Sequence, residues 1–180
     1  MHKIITTYDE IILHPNSLLV LDIDLTVIKY AYNDTDYVGS KSWKKDIMEQ
    51  YNPSTNPEDD YSYEIWKQYV RATQPEFINK QSFENLLINA EKHNVKIIFL
   101  TARTYDLKHL TESHFDILGI KNKEIYYAMD HDNKGIMLDN IIAKKYNDVN
   151  NIIFVDDLLK NIKNVQFHVT RQVDCYCFEF

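Results

Sequence analysis

The chain has 180 residues, of which 44% are hydrophobic and 26% are charged, and its formal net charge at pH 7 is −7. This length and composition predict one globular domain and argue against wholesale disorder, collagen-like repeats and low-complexity sequence. With 27 acidic residues against 20 basic ones, the surface is poorly suited to bind the phosphates of a long nucleic acid.

The cysteines and the apolar segments indicate the cellular compartment in which the protein is expected. Cys175 and Cys177 have no further metal ligands at suitable spacing, so we expect two reduced, buried thiols. Residues 1–7 lack the pattern of a signal peptide, and no apolar stretch approaches the roughly 20 residues that cross a membrane. We therefore expect a soluble cytoplasmic protein without a membrane partner, and its oligomeric state stays open.

The first core strand follows a short N-terminal segment. Residues 3–13 predict a strand or a hairpin that leads into it. The strand itself is the continuous apolar run within Ser17–Asp24, which ends in Asp22 and Asp24. Continuous runs of this kind are typical of strands buried on both faces of a parallel sheet.

Residues 27–80 differ from the rest of the chain. They are rich in Tyr, Asn, Asp and Pro, and they are interrupted by Asn52-Pro53 and Asn56-Pro57. Amphipathic stretches predict helices over Trp43–Tyr51 and Tyr61–Ala72. We interpret this segment as a small, mostly helical cap inserted after the first core strand, with 1–26 and 81–180 as the core. Its tyrosines are expected to form the core of the cap, with stacking on a substrate base or sugar as the alternative.

Helices and strands alternate after the insertion, which predicts an α/β fold with a Rossmann-like parallel sheet sandwiched by helices. Ser82 is the predicted N-cap of the first of these helices, and Gly119 the predicted end of the second. The predicted helices are Ser82–His93, Tyr105–Leu118 and Gly135–Tyr146, and the predicted strands are Val95–Thr101, Ile125–Ala128, Asn151–Asp157 and Asp174–Phe180.

Polar side chains lie where three of the strands end, and ligands bind at that edge of an open parallel sheet. Carboxylates that converge there raise one another's pKa, and a divalent cation such as Mg²⁺ offsets this cost. With a bound phosphoryl group, one Asp can act as nucleophile and a second as general acid and base, while Thr and Lys hold the phosphate. The candidates are Asp22 and Asp24, Thr101 and Arg103, Asp156 and Asp157, together with Lys134.

Four segments, in this order, resemble the haloacid dehalogenase superfamily, most of whose members are Mg²⁺-dependent phosphatases. The resemblance covers roughly 17–28 and 82–167, and Phe154–Ile162 is also similar to a poorly characterised bacterial and viral branch. The segments are Asp22-Ile23-Asp24-Leu25-Thr26, Leu100-Thr101-Ala102-Arg103, Lys134-Gly135 and Val155-Asp156-Asp157.

The resemblance implies a role for each motif residue. Asp22 takes the nucleophile position and Asp24 the acid/base position, while Thr101 and Lys134 bind the phosphate. The metal is implied to be held by the Asp22 carboxylate, the Asp24 carbonyl and the acidic pair Asp156-Asp157. Within that pair Asp157 is favoured for direct contact and Asp156 for support, although the two could exchange roles.

Several roles stay open. Arg103 could contact the substrate phosphate or pair with a carboxylate. Asn161 could orient the acidic motif or lie on a helix surface, and His131 is expected in a solvated loop. The acidic Asp24 favours phosphoryl transfer over dehalogenation, because dehalogenases of the superfamily lack an acidic residue there.

The expected function is therefore a phosphatase that acts through an aspartyl-phosphate on a small phosphorylated substrate, such as a nucleotide or a sugar phosphate. The alternative is a catalytically silent module that kept this fold for binding or interaction.

Overall fold

The structure is a computed structural model that describes residues 2–51, 61–130 and 133–179. The predicted breakers Asn52-Pro53 and Asn56-Pro57, and the predicted loop residue His131, lie outside these ranges. The strands are β1 (His2–Ile5), β2 (Leu18–Leu21), β3 (Ile28–Tyr30), β4 (Pro75–Phe77), β5 (Lys96–Thr101), β6 (Ile125–Tyr127), β7 (Ile152–Asp156) and β8 (Val173–Phe178). The helices are α1 (Lys41–Tyr51), α2 (Tyr61–Ala72), α3 (Lys80–Lys92), α4 (Lys108–Leu118), α5 (Lys134–Lys145) and α6 (Leu159–His168).

Six strands form one parallel sheet in the order β1-β8-β7-β2-β5-β6. The three predicted core strands are the central neighbours β7, β2 and β5, which confirms the predicted α/β class. Leu21 of β2 pairs with Phe99 on one side and with Val155 on the other. The carboxyl ends of these three strands are therefore level at one edge of the sheet.

The two faces of the sheet carry separate apolar cores because side chains alternate along each strand. Leu19 and Leu21 of β2 pack with Phe83 of α3 and Phe115 of α4, whereas Leu18 and Val20 pack on the opposite face with α5 and α6. Helices thus cover both faces, and every residue of β2 and β7 is buried, as are the last four residues of β5.

Two local predictions are confirmed and one is wrong. Gly119 ends α4 with φ of 75°, a left-handed conformation that glycine adopts without a steric cost. Cys175 and Cys177 are buried and unpaired. The N-cap of α3 is Asn79, not Ser82, because the Asn79 side chain accepts the Ser82 amide (3.1 Å). The Ser82 hydroxyl accepts the Tyr8 amide instead (2.7 Å).

The segment between β2 and α3 carries α1, α2 and a pair of strands that the sequence did not predict. β3 and β4 pair antiparallel, with Ile28 opposite Phe77 and Tyr30 opposite Pro75. Each has three residues and β4 begins with a proline, so neither shows a recognisable strand pattern. Of the helices that the structure describes, none has the length and apolar character needed to cross a membrane.

Candidate active site

The predicted polar residues meet at the level edge of the sheet. Asp22 directly follows β2, and Thr101 is the last residue of β5. Asp156 is the last residue of β7, and Asp157 follows it in the chain. One oxygen from each of Asp22, Asp156 and Asp157 lies within 4.8 Å of the others. Lys134, the first residue of α5, completes this group, which we call the carboxylate cluster.

The Lys134 ammonium is fully buried inside the carboxylate cluster. It donates to Asp22 Oδ1 (2.6 Å) and to Asp156 Oδ2 (2.7 Å). Gly135 allows α5 to begin this close to α6, because a Cβ there would lie 2.5 Å from the carbonyl oxygen of Asn164. Burial lowers the pKa of Lys134, but the two carboxylates outweigh it and the net pKa is raised. Lys134 therefore carries its charge in the folded protein.

The two acidic residues after β7 have different surroundings. Asp156 Oδ1 accepts the Leu158 amide (2.9 Å), Oδ2 accepts Lys134, and both oxygens receive the Asn161 side-chain amide (2.8 and 3.0 Å). Within the described ranges, no donor reaches the carboxylate of Asp157. Asp156 is thus fully engaged in support, and Asp157 keeps its oxygens available for a cation. Asn161 orients the acidic motif, one of the two roles that the sequence left open.

The carboxylate cluster holds more negative than positive charge. Burial and the neighbouring carboxylates raise the pKa of Asp22 to about 7, against the lowering effect of Lys134. Burial, the Asp22 charge and the Asp156 charge raise the pKa of Asp157 to about 9. Three acidic groups face one ammonium, so their full ionisation is disfavoured until a cation adds positive charge. Hard oxygen donors are the ligands that Mg²⁺ prefers, and the cluster offers them.

Arg103 binds Asp24 and does not point its charge at the carboxylate cluster. Its Nε and Nη2 donate to the two Asp24 oxygens (2.8 and 2.7 Å). Nη2 also donates to the Tyr30 hydroxyl (2.6 Å), and Nη1 donates to Thr111 Oγ1 (2.9 Å). These bonds use four of the five N–H groups of a guanidinium. The structure therefore gives Arg103 the carboxylate-pairing role that the sequence left open beside phosphate binding.

A cavity of about 500 Å³ lies at this edge of the sheet. Its floor includes Asp22, Asp24, Thr101 and Asp157, and its wall includes aromatic side chains from α1 and α2. The Thr101 hydroxyl accepts the Arg103 amide (3.2 Å), which leaves its proton free to donate. The sequence analysis did not assign the further lining residues Leu25, Trp43, Lys44, Trp66 and Met129 to the site.

Two of the four described non-glycine residues with positive φ lie at the same cavity, and the other two are asparagines, Asn16 and Asn94, which tolerate this conformation better. Leu25 and Met129, which both line it, have φ of 58° and 61°. Left-handed conformations cost a non-glycine residue about 1–3 kcal/mol and persist only where the surroundings impose them. Such residues cluster at functional sites, so the strain supports the assignment of this cavity as the site.

Comparison with known proteins gave no match: no family model, no curated protein and no solved structure is significantly similar to the chain. The resemblance to the haloacid dehalogenase superfamily therefore depends on the four motifs and on where the fold places them.

Replacing Arg103 tests the buried pair. We expect Arg103→Met to lower the free energy of unfolding by about 3 kcal/mol, because Asp24, Tyr30 and Thr111 lose their donors. Asp24→Asn combined with Arg103→Met should recover part of this loss. Urea denaturation of the wild type, both single variants and the double variant measures the coupling. If the effects of the two single substitutions on the free energy of unfolding simply add in the double variant, the pair contributes nothing to stability.

His114 predicts a pH dependence of stability. It is buried, and its Nδ1 lies 2.9 Å from the Tyr30 hydroxyl, which can donate to it while its oxygen accepts from Arg103. Burial, followed by the Arg103 charge, lowers the pKa of His114 to about 4. The unfolded chain, with a histidine pKa of about 6.5, binds the proton first.

Stability should therefore fall as pH drops from about 6.5 towards 4, by up to about 1.4 kcal/mol per pH unit from this residue. His114→Gln keeps an acceptor for Tyr30 and should flatten the slope in that window. His109→Gln is the matched control, because the His109 side chain is 96% exposed. Denaturation between pH 4 and 7 measures the difference, and equal slopes for both variants would contradict the expectation.

Proposed function

We propose that the protein is a Mg²⁺-dependent phosphomonoesterase that works through an aspartyl-phosphate on Asp22. The observation that carries the proposal is the buried Lys134 ammonium, which bridges Asp22 and Asp156 beside Asp157, whose carboxylate accepts no hydrogen bond from the part of the chain that the structure describes. This arrangement lies where a parallel α/β sheet binds its ligands. The four motifs that resemble the haloacid dehalogenase superfamily supply the same residues in the same roles.

The carboxylates of Asp22 and Asp157 would hold the Mg²⁺ ion, and the resemblance adds the carbonyl oxygen of Asp24. Bound there, the ion supplies positive charge that offsets the cluster and draws a phosphate towards it. Asp156 keeps Lys134 in position through its own hydrogen bonds. Lys134 has three N–H groups and donates two of them within the cluster; the third could donate to a phosphate oxygen bound against Asp22 once the fully buried ammonium is uncovered.

The reaction proceeds in two displacements. An Asp22 oxygen attacks phosphorus, and the bond between phosphorus and the ester oxygen breaks with its electron pair on the leaving group. That oxygen takes a proton from the Asp24 carboxylic acid. The Asp24 carboxylate then takes a proton from water, whose oxygen attacks phosphorus. The bond from phosphorus to Asp22 breaks, which restores both aspartates and releases inorganic phosphate.

The Arg103–Asp24 pair favours the second candidate, a catalytically silent binding module. Arg103 occupies both Asp24 oxygens, while the first displacement needs a proton on one of them. An active enzyme must therefore loosen this pair or protonate Asp24 on its outer lone pairs when substrate binds. We favour the enzyme because a silent module has no use for the surplus negative charge of the carboxylate cluster.

The insertion between β2 and α3 suits a small cap over the site, since Trp43 and Trp66 from its helices line the cavity. The cavity volume suits a small phosphorylated substrate, such as a nucleotide or a sugar phosphate, and not a long nucleic acid. The two unpaired cysteines agree with a reducing compartment such as the cytoplasm.

Removal of the nucleophile tests the reaction. We expect Mg²⁺-dependent hydrolysis of p-nitrophenyl phosphate by the wild type and at least an approximately 1,000-fold lower kcat for Asp22→Asn. Asparagine keeps an oxygen that can accept from Lys134, so the variant should fold. Asp148→Asn, at an exposed ion pair with Lys96, is the control. The proposal fails if no phosphate ester in a broad panel is hydrolysed, or if Asp22→Asn is as active as the wild type.

The two acidic residues after β7 should respond oppositely to substitution. We expect Asp157→Asn to keep or raise Tm, because asparagine removes a carboxyl group whose ionised form is disfavoured by burial and by the Asp22 charge, and to abolish the rise in Tm with millimolar MgCl₂. Asp156→Asn should lower the free energy of unfolding by about 3 kcal/mol, because Lys134 loses a buried partner. Thermal melts with and without Mg²⁺ separate the two. A Mg²⁺ response that survives in Asp157→Asn would exclude it as a ligand.

A further inference from the structure

The cavity wall indicates which leaving group the substrate carries. We infer that it bears an aromatic ring system and has the size of a nucleoside, so that the substrate class is a nucleoside monophosphate. This inference rests on the proposed function, because the same cavity would hold the phosphate at its floor.

The floor and the wall of the cavity differ in chemistry. The floor carries the carboxylates and Thr101, which the phosphate and its cation would use. The wall contains mainly apolar and aromatic side chains; these are Leu25, Trp43, Tyr63, Trp66, Ala102, Met129 and Leu158. The lining also includes the charged side chains of Lys44, Arg103 and Asp130, of which Arg103 is bound to Asp24. The part of the substrate beyond the phosphate therefore meets a mainly apolar surface.

The aromatic part of the wall is held in place before any ligand binds. The rings of Tyr63 and Trp66 are stacked, with centroids 5.5 Å apart and planes at 11°. The Trp66 ring lies 5.6 Å from the Arg103 guanidinium carbon. The Tyr63 hydroxyl accepts the Thr104 amide (3.0 Å) and lies 3.1 Å from Thr104 Oγ1. The Lys67 ammonium also lies over the Tyr63 ring, 5.1 Å from its centroid. With its hydroxyl engaged and its ring already in contact with Trp66 and Lys67, Tyr63 offers the ligand the remaining edge of its ring.

These contacts discriminate between the two expected substrates, a nucleotide and a sugar phosphate. A sugar presents several hydroxyl groups, and each one buried against Leu25, Met129 or Leu158 without a partner is unfavourable. An aromatic base instead gains from edge-to-face or offset-stacked contact with fixed rings. The observed wall therefore favours a base over a bare sugar.

The cavity volume sets the size of the leaving group. About 500 Å³ falls within the range of sites for whole small-molecule ligands and exceeds the need of a phosphate with a single ring. The volume accommodates a ribose between the phosphate at the floor and a base at the wall. It does not accommodate an oligonucleotide, in agreement with the net charge of −7.

A matched pair of substrates isolates the contribution of the base to kcat/KM. Ribonucleoside 5′-monophosphates and ribose 5-phosphate release the same kind of primary alcohol, so their intrinsic reactivity is similar. With Mg²⁺ present, we expect kcat/KM to be at least about tenfold higher for one or more of the nucleotides. The ratio should persist in Tyr63→Phe, which keeps the ring, and fall towards one in Tyr63→Leu. Tyr105→Leu is the control, because Tyr105 is an exposed tyrosine that does not line the cavity.

A binding measurement separates this inference from the proposed function. Calorimetry with Asp22→Asn and Mg²⁺ should give a dissociation constant at least about tenfold lower for the preferred nucleotide than for ribose 5-phosphate. If nothing is hydrolysed but this Tyr63-dependent difference in binding is found, the inference stands and the phosphatase proposal fails. The inference is overturned if ribose 5-phosphate matches every nucleotide, if p-nitrophenyl phosphate alone binds tightly, or if Tyr63→Leu leaves the ratio unchanged.

Discussion

The site depends on the two hydrogen bonds that the buried Lys134 ammonium donates to Asp22 and Asp156. A lysine without exposure to water is tolerated only when carboxylates surround it, and here they lie 2.6 and 2.7 Å away. The same contact ties α5 to the ends of β2 and β7. Two further residues support this contact. Gly135 allows α5 to approach α6 closely, and Asn161 holds Asp156 in place by a hydrogen bond. Folding and the candidate chemistry thus share one set of bonds.

The ion pair between buried Arg103 and partly exposed Asp24 divides the acidic residues into two groups. Arg103 compensates Asp24, whereas the carboxylate cluster keeps a surplus of negative charge beside Lys134. The chain's net charge of −7 is thus partly concentrated at one edge of the sheet, where a cation would reverse the local field and admit a phosphate. An acidic protein can in this way bind a small anionic substrate while its overall charge disfavours long nucleic acids.

The fold was largely predictable because the central strands are continuous apolar runs and the flanking helices have clear periodicity. The cluster was predictable for the same reason, since parallel strands bring Asp22, Thr101 and Asp156 to a common edge. The partners of Arg103 were not predictable, because Tyr30 lies 73 residues away in sequence and the contact with Thr111 depends on how the following helix packs. The cavity wall was also not predictable. An amphipathic pattern shows that Trp43 and Trp66 lie on the apolar face of a helix, but it does not show whether they pack in a core or line a cavity. β3 and β4 are too short to leave a pattern.

The central claim is that Asp22 accepts the phosphoryl group while Lys134 and Thr101 hold it. Beryllium trifluoride mimics a phosphoryl group on an aspartate, so a crystal structure with this anion and Mg²⁺ tests the claim most directly. We expect an adduct on the Asp22 oxygen that does not accept from Lys134, with Lys134 and Thr101 in contact with its fluorines and the cation on Asp157. An adduct on another residue, or Asp22 left unmodified at saturating anion and Mg²⁺, would contradict it.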